Sequence, residues 1–443
     1  LGVPPAIVDC IRGLLDPSPS LRWSLTSAQS VLDSSLTWAA TDGHMDTWGI
    51  DDPAGVVRKT IDYIHSMADY AREDRLFPAA PEVFETNPLN LAYGACGVAC
   101  AIRAIAGDVP EEIRDWIVRR PITRDLYPPG LYVGIAGVSW GLLEIGLRDE
   151  AASAMRLAND HPLLDQSPDL FFGITGWGMA QLRFFVGTAD EEYLSNAKMA
   201  ARRLSEMANR EDGQCWWTYD GDECSGLGHG TAGVCLFLLY LYKATGDTQY
   251  LHLGLAGLER LKQKMVRKPD GPISWRVRES SRTVTPHWRW GSAGVGMVIL
   301  RYEHVLRDAR YEQILNGVIA NTDRKLTIFP GLHIGLAGMG EFFNDLRQFG
   351  WDREVAEKGA RMALGGLLLF KIVRDQGIAF PGATRTRISC DLSTGSAGIA
   401  WFVNRFLYGG NAPFMLDELL EVQQHVPDDS LRHHHAGASA AVS

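Results

Sequence analysis

The chain is poor in cysteine, with seven in 443 residues, an odd number spread from Cys10 to Cys390. That excludes a disulfide framework and reads as buried or reactive thiols in a reducing cytoplasm. No apolar run reaches the roughly 18 residues that a membrane span needs. Basic charge is not in excess either: 43 Lys and Arg against 53 Asp and Glu leave a net charge of −10. A protein whose main partner is nucleic acid needs a basic surface, so that class is excluded. Leu1-Gly2-Val3-Pro4-Pro5 carries neither an initiator methionine nor a signal-peptide pattern, so the chain reads as an internal stretch of a longer polypeptide. A phosphate-covering glycine loop, a His-Arg-Asp catalytic loop and an Asp-Phe-Gly segment are all missing, so phosphoryl transfer is not encoded. What remains, 46% hydrophobic and 22% charged residues, is ordinary for a globular protein of two or three domains, or of one large repeat-built domain.

Within a first unit of residues 1–40, residues 1–34 read as two helices. Pro4-Pro5 opens the first, with Ile7, Val8, Ile11, Leu14 and Leu15 on one face. Asp16-Pro17-Ser18-Pro19-Ser20-Leu21-Arg22-Trp23 separates it from the second, which runs through Val31 and Leu32. A helix, then Leu-Asp-Pro and an arginine, then another helix resembles the end of a protein-kinase C-lobe, where that arginine is structural. Trp23 stands where kinases usually have proline, and an unrelated helical hairpin is the alternative. Residues 41–52 read as a linker, with Asp42-Gly43 as a turn. From about Asp52 an amphipathic helix begins, with Val56, Val57, Ile61, Ile64 and Met67 at helical spacing.

Residues 53–410 are organised by one turn written seven times. Its fourth copy is Leu227-Gly228-His229-Gly230-Thr231-Ala232-Gly233, and every copy is Gly-x-x-Gly leading into an apolar helix. The first glycines are Gly94, Gly134, Gly173, Gly230, Gly291, Gly335 and Gly395, spaced 39 to 61 residues apart, with polar amphipathic segments between them. A period of that size means a solenoid or a closed ring. The glycine-started helices are apolar on most faces and need neighbours on both sides, which favours a ring with a second layer outside. The predicted class is therefore all-α, a toroid of inner and outer helices. At its mouth seven helix N-termini, with glycines allowing close approach or positive φ, favour an anion or thiolate. Two inserts, Cys215–Tyr219 and Ile273–Thr285, have β character and precede the fourth and fifth turns, so a flap over the mouth is expected. From Asn411 to Ser443 periodicity is lost and disorder is expected; His433-His434-His435 receives no function.

The seven turns, with the histidine in the fourth, resemble the lanthionine synthetase C-like family over roughly residues 53–410. The resemblance implies an α/α toroid that adds a cysteine thiol of a precursor peptide to a dehydroalanine or dehydrobutyrine. It carries the family's catalytic histidine onto His229 and its catalytic aspartate onto Asp169. Zinc-dependent members have Trp-Cys-Tyr-Gly in the fifth turn and Cys-His-Gly in the sixth. Here the sequences are Trp288-Arg289-Trp290-Gly291 and His333-Ile334-Gly335, so all three ligands are replaced. A cyclase without zinc ligands, after a kinase-like stretch, resembles the C-terminal part of a class III lanthipeptide synthetase. Asp74-Arg75-Leu76-Phe77-Pro78 and Thr86-Asn87-Pro88 have the flavour of that class. The implied partners are a dehydrated, cysteine-containing precursor and the kinase and lyase domains of the same polypeptide. No metal and no cofactor are expected.

For the chemistry, a free thiol is a few per cent ionised near neutral pH. His229 is the candidate general acid or base, with a pKa near working pH, and Asp169 orients it or relays a proton. Arg289, Trp290, His333 and Asp391 are candidate substrate-binding residues. Each has a plainer reading: His229 and Asp169 as caps, Arg289 as an ion-pair partner in the vacated metal site, His333 as inner wall. Cys224, His229, His333 and Cys390 sit at different offsets from their glycines, which argues against one shared metal site. Cys96 and Cys100 share a helix face in the core. The competing functions are a peptide-binding scaffold and a carbohydrate enzyme using Asp169 and Asp391 as its two acids.

Overall fold

The structure, a computed structural model, describes residues 5–31, 52–269 and 271–421. The expected linker (Asp52 apart) and the histidine run lie outside the described residues. Leu1–Asp51 and Asp52–Ser443 form separate compact units. In the first, helix Pro5–Leu14 is followed by a helical run over 25–31. Arg22 Nε–H donates to the Asp16 carbonyl at 2.8 Å across the turn, and the Trp23 amide donates to the Gly13 carbonyl at 2.8 Å.

The second unit is the all-α toroid. Seven inner helices, Ala95–Ala106, Ile135–Glu144, Ile174–Thr188, Thr231–Thr245, Ser292–Leu306, Leu336–Gln348 and Ser396–Tyr408, each start directly after the first glycine of a turn. Each packs on the next, and the seventh packs on the first, so the ring closes. Six outer helices follow their inner partners in sequence: Glu111–Val118, Arg148–Asn159, Glu191–Met207, Thr248–Gln263, Arg310–Thr322 and Arg353–Leu368. The seventh outer place is taken by Pro53–Ser66, which precedes every repeat in the chain yet packs on the last inner helix. Composition dictates the layers. The fourth inner helix is buried without a break from Thr231 to Leu241. Glu191–Met207 buries only Leu194, Ala197, Ala200, Ala201 and Leu204, a single stripe.

The glycines act through close approach. None of the seven helix-starting glycines has the left-handed backbone expected of them; their φ values lie between −96° and −141°, or near 180° at Gly335. The second glycine is the tighter constraint. A Cβ on Gly294 would stand 1.9 Å from the Trp288 carbonyl oxygen and 2.8 Å from the Leu227 Cβ of the neighbouring turn. The carbonyl six residues earlier meets the second glycine in the same way in all seven turns.

Backbone bonds stitch the seven turns into a belt. Ala92 N–H donates to Tyr132 O, Leu131 to Leu170, Leu170 to Gly228, Gly228 to Arg289, Arg289 to His333, His333 to Ser393, and Ser393 back to Ala92. The first amides of the inner helices are also committed, to carbonyls seven residues earlier; Thr231 donates to Cys224 O at 3.0 Å and Ser292 to Thr285 O at 3.1 Å. The expectation of free helix amides waiting for an anion at the mouth is thereby corrected.

The bore is filled. Tyr132, Phe171, Trp288 and His333 pack edge and face at its mouth end, with ring centroids 4.6–6.5 Å apart. Below them Phe414 meets Tyr132, Trp140 and Trp401. This corrects the expectation of disorder from Asn411: through Leu420 the chain folds under the ring, burying Ala412, Phe414, Met415, Leu416 and Leu420.

Four two-stranded hairpins interrupt the helices: Asn209–Glu211 with Gln214–Trp216, Thr218–Tyr219 with Asp222–Glu223, Val266–Arg267 with Ile273–Ser274, and Ile372–Arg374 with Gly377–Ala379. The first three overlap the two expected inserts and reach beyond them to Asn209, Glu223 and Val266; an Arg276–Val284 bridge lies within the second. The last was not anticipated, and it leans on helix Pro53–Ser66.

Candidate functional site

The site is assembled from the residues immediately before the helix-starting glycines. In the first, third, fourth and fifth turns these are Tyr93, Phe172, His229 and Trp290. Residues one place earlier, such as Tyr132, Phe171 and His333, point into the filled bore. Arg289 holds that same earlier place in the fifth turn but turns its guanidinium to His229 Nε2 at the mouth.

Asp169 holds its own turn and reaches the next. Its Oδ1 accepts the Phe172 amide at 3.0 Å and the Ser167 hydroxyl at 3.0 Å. Asn90 and Asp391 do the same for Tyr93 and Thr394, so this is a shared turn device of three repeats. Only in Asp169 does the second oxygen go to a histidine: His229 Nδ1 donates to Oδ2 at 2.5 Å. On the other side of the ring, Nε2 of His229 accepts Arg289 Nε–H at 2.7 Å. Arg289 Nη1 donates to the Tyr93 hydroxyl at 3.1 Å. Its Nη2 has no partner among the described residues, and its guanidinium lies 4.2 Å from the Phe171 centroid. Asp169, His229, Arg289 and Tyr93 thus form one hydrogen-bonded chain across four turns.

These bonds fix the tautomer: the proton sits on Nδ1 and the lone pair on Nε2 faces a cation. Burial pushes the His229 pKa down to about 4; Arg289 and Arg278 push the same way, and Asp169 opposes them without prevailing. The expectation of a pKa near working pH is corrected. At neutral pH this imidazole is uncharged, which suits a base and not an acid.

Aromatic rings enclose His229. Trp290 stacks on it at 4.3 Å and Tyr219 lies at 4.6 Å. Tyr219 comes from the hairpin of the first insert. Arg278 bonds Asp220 at 3.2 Å, and Glu279 N–H donates to Glu223 O at 2.9 Å, tying the two inserts together beside the site. His229 itself is 1% exposed, whereas Arg289, Trp290, Tyr219 and Phe172 are half-buried and form the accessible surface.

The other two expected substrate contacts lie elsewhere. His333 is enclosed in the bore, stacked on Trp288 at 4.7 Å, with neither ring nitrogen partnered among the described residues. Burial holds its pKa well below the ordinary value. Asp391 is fully buried and accepts the Ala80 amide at 3.0 Å, the Ser389 hydroxyl and the Thr394 amide. That gives it the work of sewing the ring's two ends together, so the substrate-binding role expected for both residues does not fit their placement. Tyr93, Phe172 and Tyr219 are the members that sequence reasoning missed. The first two stand in the same register as His229, a signal available from the repeats themselves.

Residues 146–416 match the family described as lanthionine synthetase C-like protein. Over 355 residues the chain is 31% identical to a probable SapB synthase of Streptomyces coelicolor, an alignment covering 79% of this chain and 37% of that protein. The chain belongs to the lanthionine synthetase C-like family. Nisin cyclase has the same fold at 15% identity, with a TM-score of 0.57 over 75% of this chain and 92% of its own. This member of the family spans little more than a third of its SapB synthase relative.

Zinc, which the family resemblance brings into question, does not fit the donors present. Arg289, His333 and Ile334 stand where the ligands would be: a guanidinium, an imidazole stacked inside the bore, and a hydrocarbon. A tetrahedral zinc site needs thiolate, imidazole or carboxylate donors converging on one point. Among the described residues no three His, Cys, Asp or Glu are grouped to hold a metal, and the set Cys224, His229, His333 and Cys390 is not brought together. All seven cysteines are free and buried. Cys96 and Cys100 lie in the first inner helix, as expected of core residues.

Proposed function

We propose that this chain is the cyclase domain of a class III lanthipeptide synthetase, forming thioether rings in a dehydrated precursor peptide without zinc. The observation that carries the reading is the Asp169–His229–Arg289 chain at the mouth. In it a fixed cation occupies a position that zinc-bearing relatives give to a metal ligand, and it touches the residue matched to the catalytic histidine.

The geometry supports the following chemistry. The substrate thiol loses its proton to His229 Nε2, and Asp169 stabilises the imidazolium. Taken alone, transfer from a thiol of pKa ~8.5 to an imidazole held at about 4 is uphill by roughly 6 kcal/mol. Arg289 narrows that gap from both sides. As its guanidinium turns from Nε2 toward the substrate, it stops depressing the histidine and pairs with the new anion. The thiolate adds to the β-carbon of the dehydroamino acid, forming the C–S bond. The π electrons move to the α-carbon and carbonyl as an enolate, which Arg289 stabilises. His229 then returns the proton to the α-carbon, and the atoms balance as a simple addition. Trp290, Tyr219 and Phe172 offer an apolar floor for the peptide. Whether a second dehydroalanine captures the enolate depends on the precursor.

In this reading the kinase and lyase steps lie in other domains of the same polypeptide, residues 1–40 are the end of the kinase-like part, and the reaction belongs to a reducing cytoplasm. A second reading, a peptide-holding scaffold, is favoured by one observation: His229 is covered by Trp290 and Arg289, so a substrate must displace them to reach Nε2. One assay separates the two. The protein is given a dehydrated precursor, and free thiols are counted by alkylation and mass spectrometry, because cyclisation leaves mass unchanged. Wild type should consume thiol at least about a hundredfold faster than His229→Ala. Equal rates for wild type, variant and buffer would leave the scaffold. A stoichiometric metal in the active preparation would sink the zinc-free part.

A further inference from the structure

The outer face carries a cleft that neither the mouth nor the ring closure uses. It opens between outer helices Glu191–Met207 and Thr248–Gln263 and encloses about 980 Å³. The outer ring is wider than the inner, so neighbouring outer helices leave space between them. The cleft is lined by Lys198 and Arg202, one turn apart on the first helix, by Arg210 behind them, and by His252 on the second helix. Leu253 and Ala256 make its floor apolar. Arg210 is held in place, its Nη2 donating to the Ser205 carbonyl at 3.0 Å and hydroxyl at 2.7 Å. Lys198 and Arg202 have no carboxylate partner among the described residues. The one acid in the lining, Asp247, is committed to capping its helix through the Gln249 amide at 3.0 Å.

Three cations against one carboxylate in a single concavity are conspicuous on a chain of net charge −10. An acidic ligand is repelled by most of this surface and attracted here. At about 980 Å³, and with Leu253 and Ala256 in its floor, the cleft is larger and more apolar than a lone phosphate needs. Lys198 and Arg202 have the spacing that meets carboxylates one helical turn apart. We propose that the cleft docks an acidic helical segment of the peptide substrate, remote from the residues that react. The inference rests on the reading that the substrate is a peptide, and it adds a second anchor. Docking there would raise the effective concentration of the reacting segment at the mouth.

The test measures binding apart from chemistry. The full chain is titrated at low salt into a fluorescein-labelled Ala/Glu helical peptide of about 15 residues with glutamates four apart, with a lysine-for-glutamate counterpart as control. Saturable binding of the acidic peptide alone, weakened by added salt, is expected. Lys198→Glu/Arg202→Glu/Arg210→Glu should weaken it by about tenfold or more, with the circular dichroism unchanged. His229→Ala should bind as wild type, so loss of cyclisation and loss of docking are read separately. The same triple variant should still consume thiol on a short dehydrated peptide that has no acidic segment. Equal binding of both peptides, or unaltered binding by the triple variant, overturns the proposal.

Discussion

At the scale of single residues, His229 and Arg289 govern each other. Arg289→Met removes one of the groups depressing His229 while leaving its burial, so the imidazole pKa should rise from about 4 without reaching 6.5. Nitrogen-detected NMR titration of the histidines reads this directly; an unchanged or lower value refutes the pairing. Thiol consumption should fall by about a hundredfold or more, because the developing anion loses its cation. The same depressed pKa makes stability depend on pH. Between about 4 and 6.5 the unfolded chain binds a proton at residue 229 that the folded chain refuses, so unfolding free energy rises with pH across that window. The stability from a neutral His229 is present above 6.5 and is lost as pH falls toward 4. His287, also pushed down to about 4 by burial, acts in the same direction. Urea midpoints measured from pH 4 to 7 should climb, and His229→Gln should flatten the climb; an equally steep curve for the variant would refute it.

At the scale of the element, the turn explains both what was legible and what was not. The seven Gly-x-x-Gly starts are a local pattern, and every inner helix begins where that pattern places it. Asp169 with His229 was legible through the family resemblance. Its geometric cause, a spare carboxylate oxygen on a turn device that Asn90 and Asp391 share, needs coordinates. Arg289 reaches His229 across 60 residues, and no local rule connects them. His333 stands two places before its glycine, as Arg289 does, and only packing against Tyr132 and Trp288 puts it in the bore. Crowding also separates the glycines energetically. Gly294→Ala would drive a Cβ into the Trp288 carbonyl at 1.9 Å and displace the turn that carries Arg289. A loss of about 1–3 kcal/mol is expected. Gly365 lies inside an outer helix with nothing within 4 Å of its missing Cβ, so Gly365→Ala should stabilise by about 0.5–1 kcal/mol. Thermal unfolding of the two variants should move in opposite directions; a shared sign would refute the steric account.

At the scale of the whole molecule, a ring has to be closed, and the closing pieces come from both ends of the chain. Helix Pro53–Ser66 completes the outer layer against the seventh inner helix, and Asp391 accepts the Ala80 amide across the seam. The end opposite the mouth is sealed by the segment through Leu420, and its lock is ionic. Arg301 of the fifth inner helix donates to Asp417 at 2.5 and 2.7 Å and to Asp345 of the sixth at 2.6 Å; Tyr240 of the fourth donates to Asp417 at 2.6 Å. Nothing periodic marks Asp417, which is why the segment reads as a loose tail from sequence: its burial depends on partners more than 100 residues away. All these groups are withdrawn from water, so deleting one partner leaves a buried charge short of its counter-ion. Asp417→Ala should therefore cost about 3–5 kcal/mol, far more than an exposed ion pair. Replacing the pair together, as Arg301→Met/Asp417→Leu, removes the stranded charge along with its partner and should recover part of that loss, Asp345 keeping Arg405 as its cation. Urea unfolding of the single and double variants decides it. A single variant within about 1 kcal/mol of wild type would mean that the segment after Gly410 does not hold the ring shut.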